Sequence, residues 1–176
     1  MTLSQSVIES LQKSLRCPDL QVFMKPEWGS HNPQHRTLIR EEIKFLLQGR
    51  CLYSSISHCH GMGLVAISSF PVGVDIEITD RVQDRVMARV SSQEEFQAAP
   101  SSASLWCAKE ACFKALRPFQ QPSVISQITV GAWEKIDSQT ETYRLSNSSD
   151  FAAPSENRGV VLRVPEHTIS FFVFPS

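Results

Sequence analysis

The stretch Val72-Gly73-Val74-Asp75-Ile76-Glu77-Ile78 decides how the rest of the chain is read. In an extended strand alternate side chains share a face, so Asp75 and Glu77 point one way and Val74, Ile76 and Ile78 the other, toward a core. Two carboxylates about 7 Å apart on one strand face repel each other unless a cation or basic group lies between them. On spacing alone, a solvated strand face is the better account of the pair.

Working outward, residues 52–57 and 64–68 read as strands with turn residues between them. So do residues 20–24, 128–133, 142–145, 159–164 and 168–174. Leu3, Val7, Leu11 and Leu15 fall at four-residue steps and predict a helix over 3–16. Asn32-Pro33 predicts a second helix start, with Ile39, Ile43, Leu46 and Leu47 as its apolar stripe and Gly49 as its left-handed stop. After Asp80, Val82, Val86 and Val90 recur at helical spacing and are expected to face inward. Ser91 and Ser92, followed by Glu94 and Glu95, signal a capping box. A longer helix spans 102–116 and ends before Pro118. Strands and helices come in clusters rather than strict alternation, which predicts an α+β fold with largely antiparallel sheet.

The composition narrows the function. The 176 residues suffice for about one domain with a buried core, and 41% hydrophobic with 20% charged residues is globular. Seventeen Lys+Arg against eighteen Asp+Glu give a net charge of −1, which argues against a general nucleic-acid or membrane-surface binder. No apolar run is long enough to span a bilayer. Five cysteines, an odd number, and no leader-like N-terminus predict free thiols in a reducing cytoplasm. Cys51, His58, Cys59 and His60 lack the paired spacing of zinc ligands. Charge is uneven, however: residues 71–100 hold six acids and three arginines, and both flanking segments lean basic. Such a pattern can seat a cation beside an anionic ligand.

The second decisive stretch is Leu105-Trp106-Cys107-Ala108-Lys109-Glu110-Ala111-Cys112-Phe113-Lys114-Ala115-Leu116. Leu105, Ala108, Cys112 and Leu116 form a buried stripe, and Trp106, Glu110 and Lys114 share another face with Lys109 beside it. Taken alone, Glu110–Lys114 is an ordinary exposed helix pair. With Asp75 and Glu77 the set becomes three carboxylates and two lysines, which suits Mg²⁺ bound to a diphosphate.

These two blocks resemble the signatures (V/I)G(V/I)DxE and (W/F)xxKE(A/S)xxK of the 4′-phosphopantetheinyl transferases, in the right order. Ser57-His58 resembles the family's strand-ending Ser-His pair, and His35-Arg36-Thr37-Leu38 a helix that supplies an arginine to coenzyme A. Specifically, the chain resembles the larger, surfactin-synthetase-activating type, whose single chain looks like two fused holo-acyl-carrier-protein synthase subunits. The resemblance implies two similar α/β halves: a shortened, coenzyme A-contacting half at 1–71, and a half at 72–176 carrying the metal and catalytic motifs.

The resemblance further implies a holo-acyl-carrier-protein synthase activity, in which a serine of an acyl or peptidyl carrier protein takes 4′-phosphopantetheine from coenzyme A. Asp75, Glu77 and Glu110 would hold Mg²⁺. Lys109 and Lys114 would face the diphosphate, and Ser57, His58 and Arg36 would also bind coenzyme A, the last two at its 3′-phosphate. Glu110 would serve as the base, with Lys114 in the catalytic set, in a monomer. Cys59 stands where the family has Ser, and the Gly-Lys-Pro block that helps seat the adenine is missing. A non-catalytic module that binds coenzyme A or a carrier protein is the alternative reading, and metal-dependent coenzyme A hydrolysis is a third.

Overall fold

The computed structural model describes residues 3–175. Helix α1 (Gln5–Leu15) is capped by the Ser4 side chain and buries Leu11 and Leu15. Strand β1 (Gln21–Lys25) follows, then helix α2 (His35–Leu47). Helix α2 begins after the predicted Asn32-Pro33 start, because the Asn32 side chain accepts from Gln34 N and donates to Glu27 O, which holds a turn ahead of the helix. Its left-handed end falls on Gln48, and Gly49 continues it at φ +77°.

Strands β2 (Tyr53–Cys59) and β3 (Met62–Ser68) pair antiparallel, and with β1 they form a three-stranded sheet in the order β1-β3-β2. Strand β4 (Val72–Ile78) has the predicted limits. It begins a five-stranded sheet, β4-β8-β7-β6-β5, built with β5 (Val130–Lys135), β6 (Thr140–Leu145), β7 (Arg158–Val164) and β8 (His167–Val173). Every strand pairing is antiparallel, as the clustered pattern implies. Between β4 and β5 lie α3 (Asp84–Val90), α4 (Gln93–Ala98) and α5 (Ser102–Ala115). The capping box at the start of α4 forms as expected, between Ser92 and Glu95.

A single apolar cluster joins the two sheets: Leu11 and Leu15 of α1, Leu64 and Ala66 of β3, Val74 and Ile76 of β4, and Phe171 of β8 all belong to it. Helix α2 covers another face of the small sheet through Ile39, against Val65 and Ile67. Helix α5 covers the large sheet through Leu105, Ala108, Cys112 and Leu116, the stripe read from spacing. In α3 the inward residue is Met87, and Val86 is 38% exposed. This corrects the valine stripe at Val86 alone: Val82 and Val90 pack against the core of the large sheet as expected, but α3 starts only at Asp84, which leaves Val82 outside the helix and its spacing to Val86 without helical meaning. Among the described residues no helix is long and apolar enough to cross a membrane.

Two contacts place the functional residues. Gly73 lies under α5 so closely that an added Cβ would come within 1.8 Å of Ala111 O, which is why the strand carries a glycine there. The helix is thereby laid on β4 with Glu110 and Lys114 beside Asp75. The outer edge of β4 faces β2, and there Ser55 and Ser57 replace a strand ladder. Ser55 Oγ accepts from Val74 N (3.0 Å) and Ser57 Oγ from Ile76 N (3.3 Å). These bonds satisfy edge amides that would otherwise be buried without partners.

Candidate active site at the junction of the two sheets

Above this junction, between α2 and α5, lies a cleft of about 430 Å³. Helix α2 gives it Arg36, Ile39 and Arg40; β2 gives Ile56, Ser57 and His58; β4 gives Asp75 and Glu77; and α5 gives Trp106, Glu110 and Lys114. Seven of the eight residues singled out by sequence therefore meet in one cavity: Arg36, Ser57, His58, Asp75, Glu77, Glu110 and Lys114.

Asp75 is the hub. Its Oδ1 accepts from Ser57 Oγ at 2.7 Å and from Lys114 Nζ at 2.8 Å. Lys114 also donates to the carbonyl of Val74 at 3.0 Å. Only 4% of Asp75 is exposed, so the solvated-face reading of the strand does not apply: β2 and α5 cover the side that a lone sheet would leave to water. Its second oxygen, Oδ2, is buried and has no protein partner. Burial, and after it the charge of Asp75, holds both Glu77 and Glu110 above the usual carboxylate range. Burial, then the neighbouring His35 and the cations Arg36 and Lys114, push His58 below the ordinary imidazole value. The His35 and His58 rings meet edge-on at 4.5 Å. His58 Nδ1 and His35 Nε2 are both buried without partners.

Lys109 is the correction. It is fully buried on the other side of α5, with Nζ 2.9 and 3.0 Å from the two oxygens of Glu95 and bonded to the carbonyl of Ile128. Glu95 Oε1 also accepts from Val130 N at 2.9 Å and Oε2 from Ser92 N at 3.2 Å. Lys109 therefore ties α5 to α4 and to the start of β5, and it does not reach the cleft. One residue along a helix turns the side chain by about 100°, since a turn takes 3.6 residues. Adjacency to Glu110 in sequence thus puts Lys109 on a different face.

Arg40 was missed by the sequence reading. Its signal was available: it stands one helical turn after Arg36 and so shares that residue's side of α2. Ile39 and Ile56 carry no such polar signal, whereas Trp106 lines the cleft beside Glu110 and Lys114, the face on which its spacing placed it. Cys59, buried beside the site, has its thiol pushed up to about 11 by burial and by Glu77, and is thus protonated at neutral pH. A second depression of about 370 Å³ adjoins the cleft across His58, Glu77 and Trp106, and it is lined on its far side by Arg81, Val82 and Val86.

Among the described residues no three His, Cys, Asp or Glu side chains are gathered closely enough to enclose a metal ion by themselves. The donor set nevertheless fits a hard cation that takes most of its ligands from phosphate and water. Three carboxylates line one cleft, one carboxylate oxygen is buried without a partner, and burial, with the charge of Asp75 after it, disfavours ionisation of the other two. Arg36 and Arg40 of α2 and His58 of β2, which line the same cleft, suit a second anionic group on the same ligand.

A search of curated proteins finds no match to the chain. A family model does match, over residues 71–166, from the start of β4 to the turn after β7, and so includes Asp75, Glu77, Glu110 and Lys114. The match spans more than half of the chain, and on that ground the chain belongs to the 4′-phosphopantetheinyl transferase superfamily.

Proposed function

We propose that this protein transfers the 4′-phosphopantetheine group of coenzyme A to a serine hydroxyl of an acyl or peptidyl carrier protein and releases adenosine 3′,5′-bisphosphate, with Mg²⁺ as its cofactor. We read the chain as a large, two-half member of its superfamily with a shortened N-terminal half. The single observation that carries this reading is the convergence of Asp75, Glu77, Glu110 and Lys114 with Arg36 and His58 in one cleft. Carboxylates and basic side chains lining one cleft match a ligand that carries a metal-bound diphosphate and, further along, a phosphate monoester.

In the reaction the serine oxygen forms a bond to the phosphorus that bears pantetheine. The bond from that phosphorus to the bridging oxygen breaks, and the electron pair leaves with adenosine 3′,5′-bisphosphate. Glu110 takes the serine proton, and burial suits it to that role by raising its proton affinity. Asp75 holds Lys114 and Ser57 at the floor of the cleft. The Lys114 ammonium lies where negative charge develops on the diphosphate. Arg36 and His58 bind the 3′-phosphate. Asp75, Glu77 and Glu110 would hold Mg²⁺, which would supply neutralising charge to the diphosphate.

The carrier protein docks on α3. Arg85 and Arg89 are exposed there, Arg81 lines the depression that adjoins the cleft just before the helix, and the three complement an acidic partner. Incubation with coenzyme A, Mg²⁺ and an apo-carrier protein tests the proposal. Intact-mass measurement is expected to show one phosphopantetheine added per carrier, with an equal amount of adenosine 3′,5′-bisphosphate. Coenzyme A bound but unconsumed would indicate a binding module, and bisphosphate without modified carrier would indicate a hydrolase.

A further inference from the structure

Arg40 lies outside every motif that the sequence carries, yet it lines the cleft with Arg36 from the same side of α2. Among the described residues neither guanidinium has a carboxylate within salt-bridge distance, whereas Lys114 is held by Asp75 and Lys25 by Glu42. The pair belongs to a longer row, Arg36, Arg40 and Lys44, at four-residue steps along one helix. Like charges at that spacing destabilise a helix, and all three residues are exposed. The first two face the cleft and the third does not. The same end of the cleft holds His58, whose buried Nδ1 has no partner. The cleft's guanidinium charge without an ion-pair partner is thus gathered on α2, a different element from those that carry Asp75, Glu77 and Glu110.

We propose that Arg40 is a specificity-determining residue for the 3′-phosphate of coenzyme A, forming with Arg36 a two-guanidinium clamp on that group. The inference rests on the coenzyme A reading above and adds a residue to it. The guanidinium presents a fork of N–H donors matched to phosphate oxygens, and two forks one turn apart can grip one dianionic group from both sides. The diphosphate is left to Lys114 and the carboxylate wall, so loss of Arg40 weakens recognition of the 3′-phosphate alone.

Calorimetric titration of the wild-type protein and of Arg40→Gln, Arg40→Lys and Lys44→Gln with coenzyme A and with dephospho-coenzyme A tests this. Arg40→Gln is expected to weaken coenzyme A about tenfold, the scale of one charge-assisted contact, and dephospho-coenzyme A less than about twofold on the same scale. Arg40→Lys falls between, because a point charge cannot make the forked contact. Lys44→Gln, on the same row but outside the cleft, leaves both affinities unchanged. Equal losses on the two ligands, no loss on either, or a Lys44→Gln loss as large as that of Arg40→Gln would overturn the assignment. A wild-type protein that binds neither ligand would instead overturn the coenzyme A reading, and the clamp with it.

Discussion

Replacing Lys109 with Ala separates the two roles that a lysine next to Glu110 can have. The side chain is completely buried, Nζ touches both oxygens of Glu95, and it also donates to the Ile128 carbonyl. Removing it leaves the Glu95 carboxylate, itself 8% exposed, with only the amides of Ser92 and Val130. Breaking a buried pair by deleting one partner costs about 3–5 kcal/mol. The two remaining amide bonds place this case near the lower end, at about 3 kcal/mol. For a chain of this length each kcal/mol lowers Tm by roughly 2–4 °C, so a fall of about 6–12 °C is expected. Thermal unfolding followed by circular dichroism measures it. Coenzyme A titration at 15 °C, where the variant is folded, should give a Kd within about twofold of wild type. The Lys109→Met, Glu95→Gln double variant should recover part of the lost Tm, because it leaves no unpaired buried charge. A Lys109→Ala protein that melts like wild type and binds coenzyme A tenfold more weakly would refute the reasoning and return Lys109 to the phosphate.

Three further outcomes follow from the site. Asp75→Asn, which keeps the side chain's shape but removes its charge, should lower the transfer rate about a hundredfold or more, measured at limiting Mg²⁺; near-normal turnover there would remove Asp75 from the metal ligands. Glu110 has a folded pKa above the usual 4.5. Such a carboxyl favours the fold below its unfolded pKa, and that contribution is lost as pH rises through the folded pKa. Glu110→Gln should therefore raise Tm at pH 7 while abolishing transfer, with the Tm gain shrinking as pH falls toward 4.5, and an equal gain at both pH values would contradict the buried-charge explanation. Reversing Arg85 and Arg89 to Glu should raise KM for an acidic carrier protein but not for coenzyme A, an effect that fades near roughly 0.5 M salt; an unchanged carrier KM at low salt would move docking away from α3.

The strand over Val72–Ile78 and the buried stripe of α5 are legible in the sequence because period-2 and period-3.6 patterns follow directly from backbone geometry. The junction of the two sheets is less so. Ser55 and Ser57 read as polar residues of an ordinary alternating strand, and nothing local indicates that their hydroxyls take the amides of β4. Lys109 fails for a related reason: its family block gives order along the chain, whereas its role depends on Glu95 and on the carbonyl of Ile128, brought together only by tertiary packing. Val86 and Met87 show the same limit at the scale of one turn. A start of α3 at Asp84 rather than just after Asp80 is enough to turn Met87 inward and leave Val86 in solvent. Arg40 needed no tertiary information beyond the helix itself, since its spacing from Arg36 already placed both on one side.

In the proposed reaction Asp75, Glu77 and Glu110 would hold Mg²⁺ against the diphosphate of coenzyme A while the α2 arginines hold the rest of the ligand. Coenzyme A titrations with and without Mg²⁺, on the wild type and on Glu77→Gln and Glu110→Gln, test it most directly, because linkage requires the metal and the ligand to strengthen each other equally. The account predicts that Mg²⁺ tightens coenzyme A in the wild type, that this gain is largely lost in both variants, and that metal-free affinity stays the same or rises as a carboxylate is neutralised. Coenzyme A affinity indifferent to Mg²⁺ in the wild type, or a metal effect undiminished in both variants, would contradict it.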